Sequence, residues 1–139
     1  MASGVGLHSD CLPAYQKLKG PTRKHKYIIY TLNSNNTEII VDKTSAETDY
    51  DGFLKDLPED QCRWAVYDLE FEKDGAKRNK ICFISWAPDN AKIKQKMVFT
   101  ASLSALRRSL EGIGTDVQAT DYDEVSYASV LEKASRLKS

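Results

Sequence analysis

The segment KICFISW, residues 80–86, puts Ile81 and Phe83 on one side of an extended chain and Cys82, Ile84 and Trp86 on the other. Successive side chains of a strand point to opposite faces, so both faces of this strand are apolar. Such a strand is stable only where both faces are covered, which marks a central strand of a sheet held between other elements. Its expected partner, RWAVYDLEF at 63–71, is graded. Ala65, Tyr67, Leu69 and Phe71 line one face, while Trp64 and Val66 start the other, which ends acidic at Asp68 and Glu70. This predicts a strand buried at one end and wet at the other. The connecting EKDGAKRN holds an Asp-Gly pair and then a basic cluster, and reads as the turn of a hairpin. Helices must therefore lie on both faces of the sheet.

The rest of the chain supplies them. Ser9 or Asp10 can cap a helix with Cys11, Tyr15 and Leu18 at i, i+4 and i+7; Pro13 is tolerated in its first turn, and Gly20-Pro21 ends it. KYIIYTL (26–32) and TEIIV (37–41), separated by the turn NSNN, predict a first hairpin. Tyr50, Phe53, Leu54 and Leu57 suggest a short helix stopped by Pro58. After residue 114, TDVQA is a short strand, and YASVLEKASRLK closes the chain as an amphipathic helix with Tyr127, Val130, Leu131 and Ala134 inward. The order α, β-hairpin, α, β-hairpin, α, β, α gives an α/β, α+β-like fold: a single domain over residues 1–139 with a mixed sheet flanked by helices on both faces. The last strand should run parallel to a neighbour, because its connection needs a crossover.

The stretch from Trp86 to Gly114 reads as one long helix whose apolar residues do not sort onto a single face. At about 100° per residue, Ile93, Met97 and Ala101 form one stripe, and Phe99, Leu103, Leu106 and Leu110 another on nearly the opposite side. Three arrangements satisfy this: a helix bent around MVFTAS, a helix buried on two sides, or one stripe left exposed for a partner. The charges favour a partner. Lys92, Lys94 and Lys96 crowd the first half and Arg107 and Arg108 the second, with no acid between Asp89 and Glu111 to pair with them. Solvated faces usually mix signs.

Composition excludes several classes. A chain of 139 residues, 41% apolar and 29% charged, can build a core, and its 20 basic and 20 acidic residues cancel. A neutral chain with no aromatics interleaved beside Lys92, Lys94 and Lys96 is not expected to bind nucleic acid. No signal-peptide core or bilayer-length apolar run occurs, so a cytosolic location is expected. Cys11, Cys62 and Cys82 are too widely spaced for a metal knuckle and read as reduced core thiols. His8 and His25 read as surface residues. With no Walker lysine, G-x-S-x-G or H-E-x-x-H, neither an enzyme nor a cofactor or metal site is expected. The expected product is an interaction.

At this point the residues meet a family. LPEDQCRWAVYDLEFEKDGAKRNKICFISWAPDNAKIKQKMVF, then LRRSLEGIGTDVQATDYDEVSYASVLEKASR, headed by MASGV, closely resembles the actin-depolymerising factor/cofilin family over essentially the whole chain. The resemblance implies the ADF-homology fold and a protein that binds actin monomers and filaments, preferring the ADP state, and twists, severs and depolymerises filaments. It implies a monomer- and filament-binding face of Ser3, Gly4, Val5 and Gly6, in a flexible segment of about residues 1–6, with Lys94, Lys96, Met97, Arg107 and Arg108. It implies a filament-specific surface of Arg78 and Lys80, in the basic turn of the second hairpin, with Glu132, Lys133 and Arg136 of the last helix. Ser3 matches the serine whose phosphorylation inhibits actin binding in many members. Anionic inositol phospholipids are implied as ligands of the same basic residues, and a monomeric, cytoplasmic protein of the actin cytoskeleton with a nuclear pool is the corresponding expectation.

The chain departs from the family where many relatives carry Ser-Lys-Asp and it has Ser102, Leu103 and Ser104. A lysine in relatives favours an outward Leu103 facing actin over one packed with Phe99, Leu106 and Leu110. The alternative function is a coactosin-like module that binds filament sides without severing.

Overall fold

A computed structural model describes residues 5–20, 25–47 and 49–136. Its strands are β1 (Gly6–Leu7), β2 (Tyr27–Leu32), β3 (Glu38–Ser45), β4 (Arg63–Lys73), β5 (Ala76–Trp86) and β6 (Thr115–Ala119). Between and after them lie α1 (Cys11–Lys19), α2 (Tyr50–Lys55), α3 (Ile93–Ser109), a 3-10 turn (Tyr122–Val125) and α4 (Tyr127–Ser135). The strands form one mixed sheet in the order β1-β3-β2-β4-β5-β6. β1 runs parallel to β3 and β6 parallel to β5, while the pairs β2/β3, β2/β4 and β4/β5 are antiparallel. The parallel last strand is as expected from its crossover.

The alternation along β4 and β5 sorts the core into two layers. Trp64, Val66 and Phe83 meet Cys11, Tyr15 and Leu18 of α1 and Phe99 and Leu106 of α3, with Leu110 just beyond α3. Ala65, Tyr67, Leu69, Cys82, Ile84 and Trp86 meet Phe53 of α2, Leu57, and Val130 and Ala134 of α4. Two helices therefore cover each face of the sheet, as the doubly apolar segment requires. All three cysteines are buried and unpaired.

The hairpin joining β4 and β5 is longer than its sequence suggests. Lys73 pairs directly with Ala76, leaving only Asp74 and Gly75 to turn, with φ of 55° and 79°. Two positive φ values in succession are the signature of the tight turn for which Asp-Gly is suited. The basic cluster is accordingly not a turn: Lys77, Arg78 and Lys80 are strand residues. Asp68 is also not at a wet end. It is 4% exposed, and its Oδ1 accepts a bond from Asn79 Nδ2 at 3.2 Å, while Glu70 is exposed.

The long helix begins later and ends sooner than the segment 86–114. Trp86 belongs to the sheet, paired with Arg63, and its indole Nε1 donates to Pro58 O at 2.6 Å. Pro88 to Ala91 then form a turn closed by Ala91 N–H to Pro88 O at 3.0 Å. At the other end Leu110 is buried and extended, which stops the helix at Ser109. On α4, Val130 and Ala134 face inward, but Tyr127 is 43% exposed, its ring edge-on to Tyr50 at 5.4 Å. Asp10 precedes α1 without a side-chain cap; the ring of His8 accepts the Asp10 N–H at 3.0 Å instead.

Candidate functional site

The exposed side of α3 is the most distinctive surface. Ile93 is 77% and Met97 66% exposed, and Lys94, Thr100, Ala101, Ser104 and Arg108 are exposed with them. These positions recur every three or four residues, so they form one continuous outer stripe along the helix. The opposite stripe, Phe99, Ser102 and Leu106, is buried, with Phe99 stacked on Trp64 at a centroid separation of 4.3 Å. Of the three arrangements open to the sequence, the structure adopts the exposed stripe. Gln95 ties the first turns to the sheet, its Oε1 accepting the Cys62 N–H at 2.8 Å.

The basic residues of α3 divide between this stripe and its flank. Lys94 and Arg108 belong to the outer stripe. Lys96 lies about 200° from Lys94 around the helix, half-buried, with Nζ donating to Asp89 O at 3.2 Å. Arg107, on the same flank, is bound by Asp116 of β6, Nε to Oδ1 at 2.8 Å and Nη2 to Oδ2 at 3.1 Å. That bidentate bond raises the guanidinium pKa further. The unpaired-charge reading of α3 is thus corrected for Arg107: its acid comes from a strand, where spacing along the helix cannot show it. Leu103 shares this flank and is half-buried against the α1–α3 layer, so it does not point outward with Lys94 and Met97.

Ser3 and Gly4 lie outside the described residues. Val5 is 8% exposed and Gly6 is in β1, so these two belong to the folded body rather than to a flexible segment. Gly6 N–H donates to Thr37 O at 3.2 Å and His8 N–H to Ile39 O at 2.8 Å, stitching the segment beside β3. Val5 enters the same layer as Phe99 and Leu106, which brings the N-terminal segment and α3 to one face of the sheet. A buried Val5 anchors that segment and leaves Gly6 as the exposed one of the pair.

The other predicted surface lies on the opposite face. Arg78 and Lys80 pair with Phe71 and Leu69, whose side chains enter the α2–α4 layer, so they share the side of the sheet on which α4 packs. Arg78 is exposed; Lys80 is half-buried, its stem close to Gly114. Glu132 of α4 and Arg136, just past its last residue, form an ion pair at 3.0 Å, with Lys133 exposed beside them. Lys73 Nζ donates to Ser135 O and joins the hairpin to the end of α4. The hairpin and α4 residues are thus brought to one side, and the α3 stripe lies on the other.

Sequence reasoning missed β1 and the 3-10 turn. A two-residue strand has no periodicity to detect. In the turn, Asp121 caps the Glu124 N–H at 3.0 Å, a signal that the spacing Asp121-x-x-Glu124 does carry. Among the described residues no group of three or more His, Cys, Asp or Glu could hold a metal ion.

The fold and its two surfaces define a class first. Coactosin from Entamoeba histolytica has the same fold, with a TM-score of 0.83 over 95% of each chain at 19% identity. Closer likenesses narrow this. Residues 4–135 match the family described as cofilin/tropomyosin-type actin-binding protein. Cofilin of Mycosarcoma maydis is 58% identical over 137 residues, 98% of each chain. The crystal structure of Streptomyces griseoflavus cofilin superposes with a TM-score of 0.91 at 57% identity, covering 96% of this chain and 98% of that one. The chain belongs to the actin-depolymerising factor/cofilin family.

Proposed function

We propose that the chain binds actin monomers and filaments, twists filaments, and thereby severs and depolymerises them. One observation carries this reading: the outer stripe of α3 leaves Ile93 and Met97 in solvent beside Lys94 and Arg108, on the fold of a family described as actin-binding. Large apolar side chains left bare in one row are the mark of an interaction surface, and a flexible thioether can fill irregular apolar space on a partner. The flanking cations suit an acidic partner surface. The 58% identity to a cofilin over 98% of each chain favours severing over side-binding alone.

The hairpin and α4 form the filament-specific contact in this reading. Patches on opposite faces of one sheet allow a single chain to touch two actin subunits. If both contacts are best satisfied at a changed subunit rotation, differential binding shifts the filament toward it, and boundaries with unbound segments become weak. Preference for ADP-actin, binding of anionic inositol phospholipids by the same cations, and a nuclear pool beside the cytoplasmic one belong to the same proposal. So does inhibition by phosphate at Ser3, through about −1.5 to −2 charges placed beside a surface meant for an acidic partner.

Lys94→Ala combined with Met97→Ala tests the central contact. Both side chains are exposed, so the variant should melt like wild type yet lose monomer binding and filament co-sedimentation. A folded variant that co-sediments as wild type does would reject the assignment of this stripe.

A further inference from the structure

The face of β6 that turns toward α3 is polar. Val117 and Ala119 enter the α2–α4 layer, which leaves Asp116 and Gln118 on the α3 side, beside Phe83 and Ser85 of β5. The Arg107–Asp116 pair spans the gap between helix and strand at one level. Further along, a cavity of about 360 Å³ opens between α3 and β6, bounded by Phe99 and Leu103 on the helix and by Ser85, Gln118, Thr120 and Glu124 opposite. That volume lies toward the small end of ligand sites, which run from about 300 to 1,000 Å³.

Two of these groups line the cavity with hydrogen-bonding capacity to spare. Ser85 is 8% exposed, yet its hydroxyl has no hydrogen-bond partner among the described residues. The oxygen itself is not sealed from solvent, so it opens onto the cavity and can bond a polar group that enters there. Glu124 is the only charged residue lining the cavity among those described. Its Oε1 accepts from Thr120 N at 2.7 Å and Thr120 Oγ1 at 3.0 Å. Those bonds hold its carboxyl below the usual range, with smaller contributions from the Asp121 backbone and from Lys133, which does not line the cavity. Glu124 is exposed, and Thr120 engages only Oε1, which leaves Oε2 able to meet a ligand.

We propose that this cavity binds a small organic cation, an amidinium, guanidinium or ammonium group on a compact apolar body. The body lies against Phe99 and Leu103, and the N–H groups reach Glu124 Oε2 and the Ser85 hydroxyl. The same chemistry can arrive as a free molecule or as an arginine or lysine side chain of a partner. Its donors and acceptors belong to β5, β6 and the 3-10 turn, while its apolar wall is shared with α3.

Benzamidine titrated into the ¹⁵N-labelled full chain provides the test, followed by amide chemical shifts. The expected result is saturable shifts centred on Ser85, Gln118 and Thr120, with no saturable response to benzoate. Glu124→Gln keeps an acceptor for Thr120 but removes the charge, and should weaken benzamidine about tenfold, the loss expected for one charge-assisted bond. Ser85→Ala should weaken it by about threefold, as for a neutral bond. Absence of saturable shifts, an equal response to benzoate, or wild-type affinity in a well-dispersed Glu124→Gln spectrum would overturn the proposal. Actin monomer then separates the sources: competition with benzamidine assigns the cation to a partner side chain, and simultaneous binding assigns it to a free ligand. Either result keeps the site.

Discussion

Trp64 and Trp86 are equally buried but differ in what their indole nitrogens meet. Trp86 Nε1 donates to Pro58 O at 2.6 Å, whereas Trp64 Nε1 has no partner among the described residues and its ring stacks on Phe99. Trp86→Phe therefore strands a carbonyl as well as losing volume, while Trp64→Phe removes a donor that was already unsatisfied. We expect Trp86→Phe to cost about 1–3 kcal/mol more than Trp64→Phe, measured by urea denaturation. Equal losses would mean that the Pro58 bond contributes nothing. Asp68 shows the limit of single-residue reading. Its face was legible from alternation, but its depth was not, because Asn79 reaches it from the neighbouring strand.

Within α3, a helical period separates stripes but does not say which one the sheet takes. Phe99 and Leu106 win because Trp64 and Val66 offer them an apolar floor, and Ile93 and Met97 are left in solvent. Leu103 sits between the two outcomes, half-buried on the flank. Leu103→Lys should cost about 1 kcal/mol, below the 1.5–3 kcal/mol of full burial, since a lysine stem can lie along the flank and carry its charge outward. A thermal melt checks this. No change in Tm would return Leu103 to the outward position expected from relatives, and a loss above about 3 kcal/mol would place it deep in the core.

Across the whole molecule, the sheet separates the two candidate surfaces. Arg78→Ala with Lys80→Ala should lose filament co-sedimentation while keeping monomer affinity within about twofold, because these hairpin side chains lie on the face of the sheet opposite the α3 stripe. Equal loss of both activities would show that the surfaces are not independent. Burial also couples the fold to alkaline pH. Burial pushes the Cys82 thiol up to about 12 and the Cys11 thiol up to about 11, the latter also affected by nearby carboxylates. In the unfolded chain both ionise near about 8.5. Between these values the unfolded chain has released protons that the folded chain still holds, so their stability contribution is complete below about pH 8.5 and falls as pH rises. The urea midpoint should drop between pH 7 and pH 10, and less so in Cys82→Ala. An equal drop in that variant would remove Cys82 as a cause.

The sequence by itself determined the layered architecture, because a strand apolar on both faces has no stable home except between two covering layers. It also determined the family, through motifs running nearly end to end, and the resemblance nominated the candidate residues of the two surfaces. The tertiary structure decided which of those residues stand together. Arg107 is paired with Asp116, Lys96 turns to the flank, Val5 is buried, and Arg78 and Lys80 extend a strand rather than occupy a turn. Each of these depends on a contact between segments far apart in sequence, or on where one strand's register ends against another. Local periodicity carries the direction of a side chain, and only the packed chain supplies the neighbour that accepts or covers it.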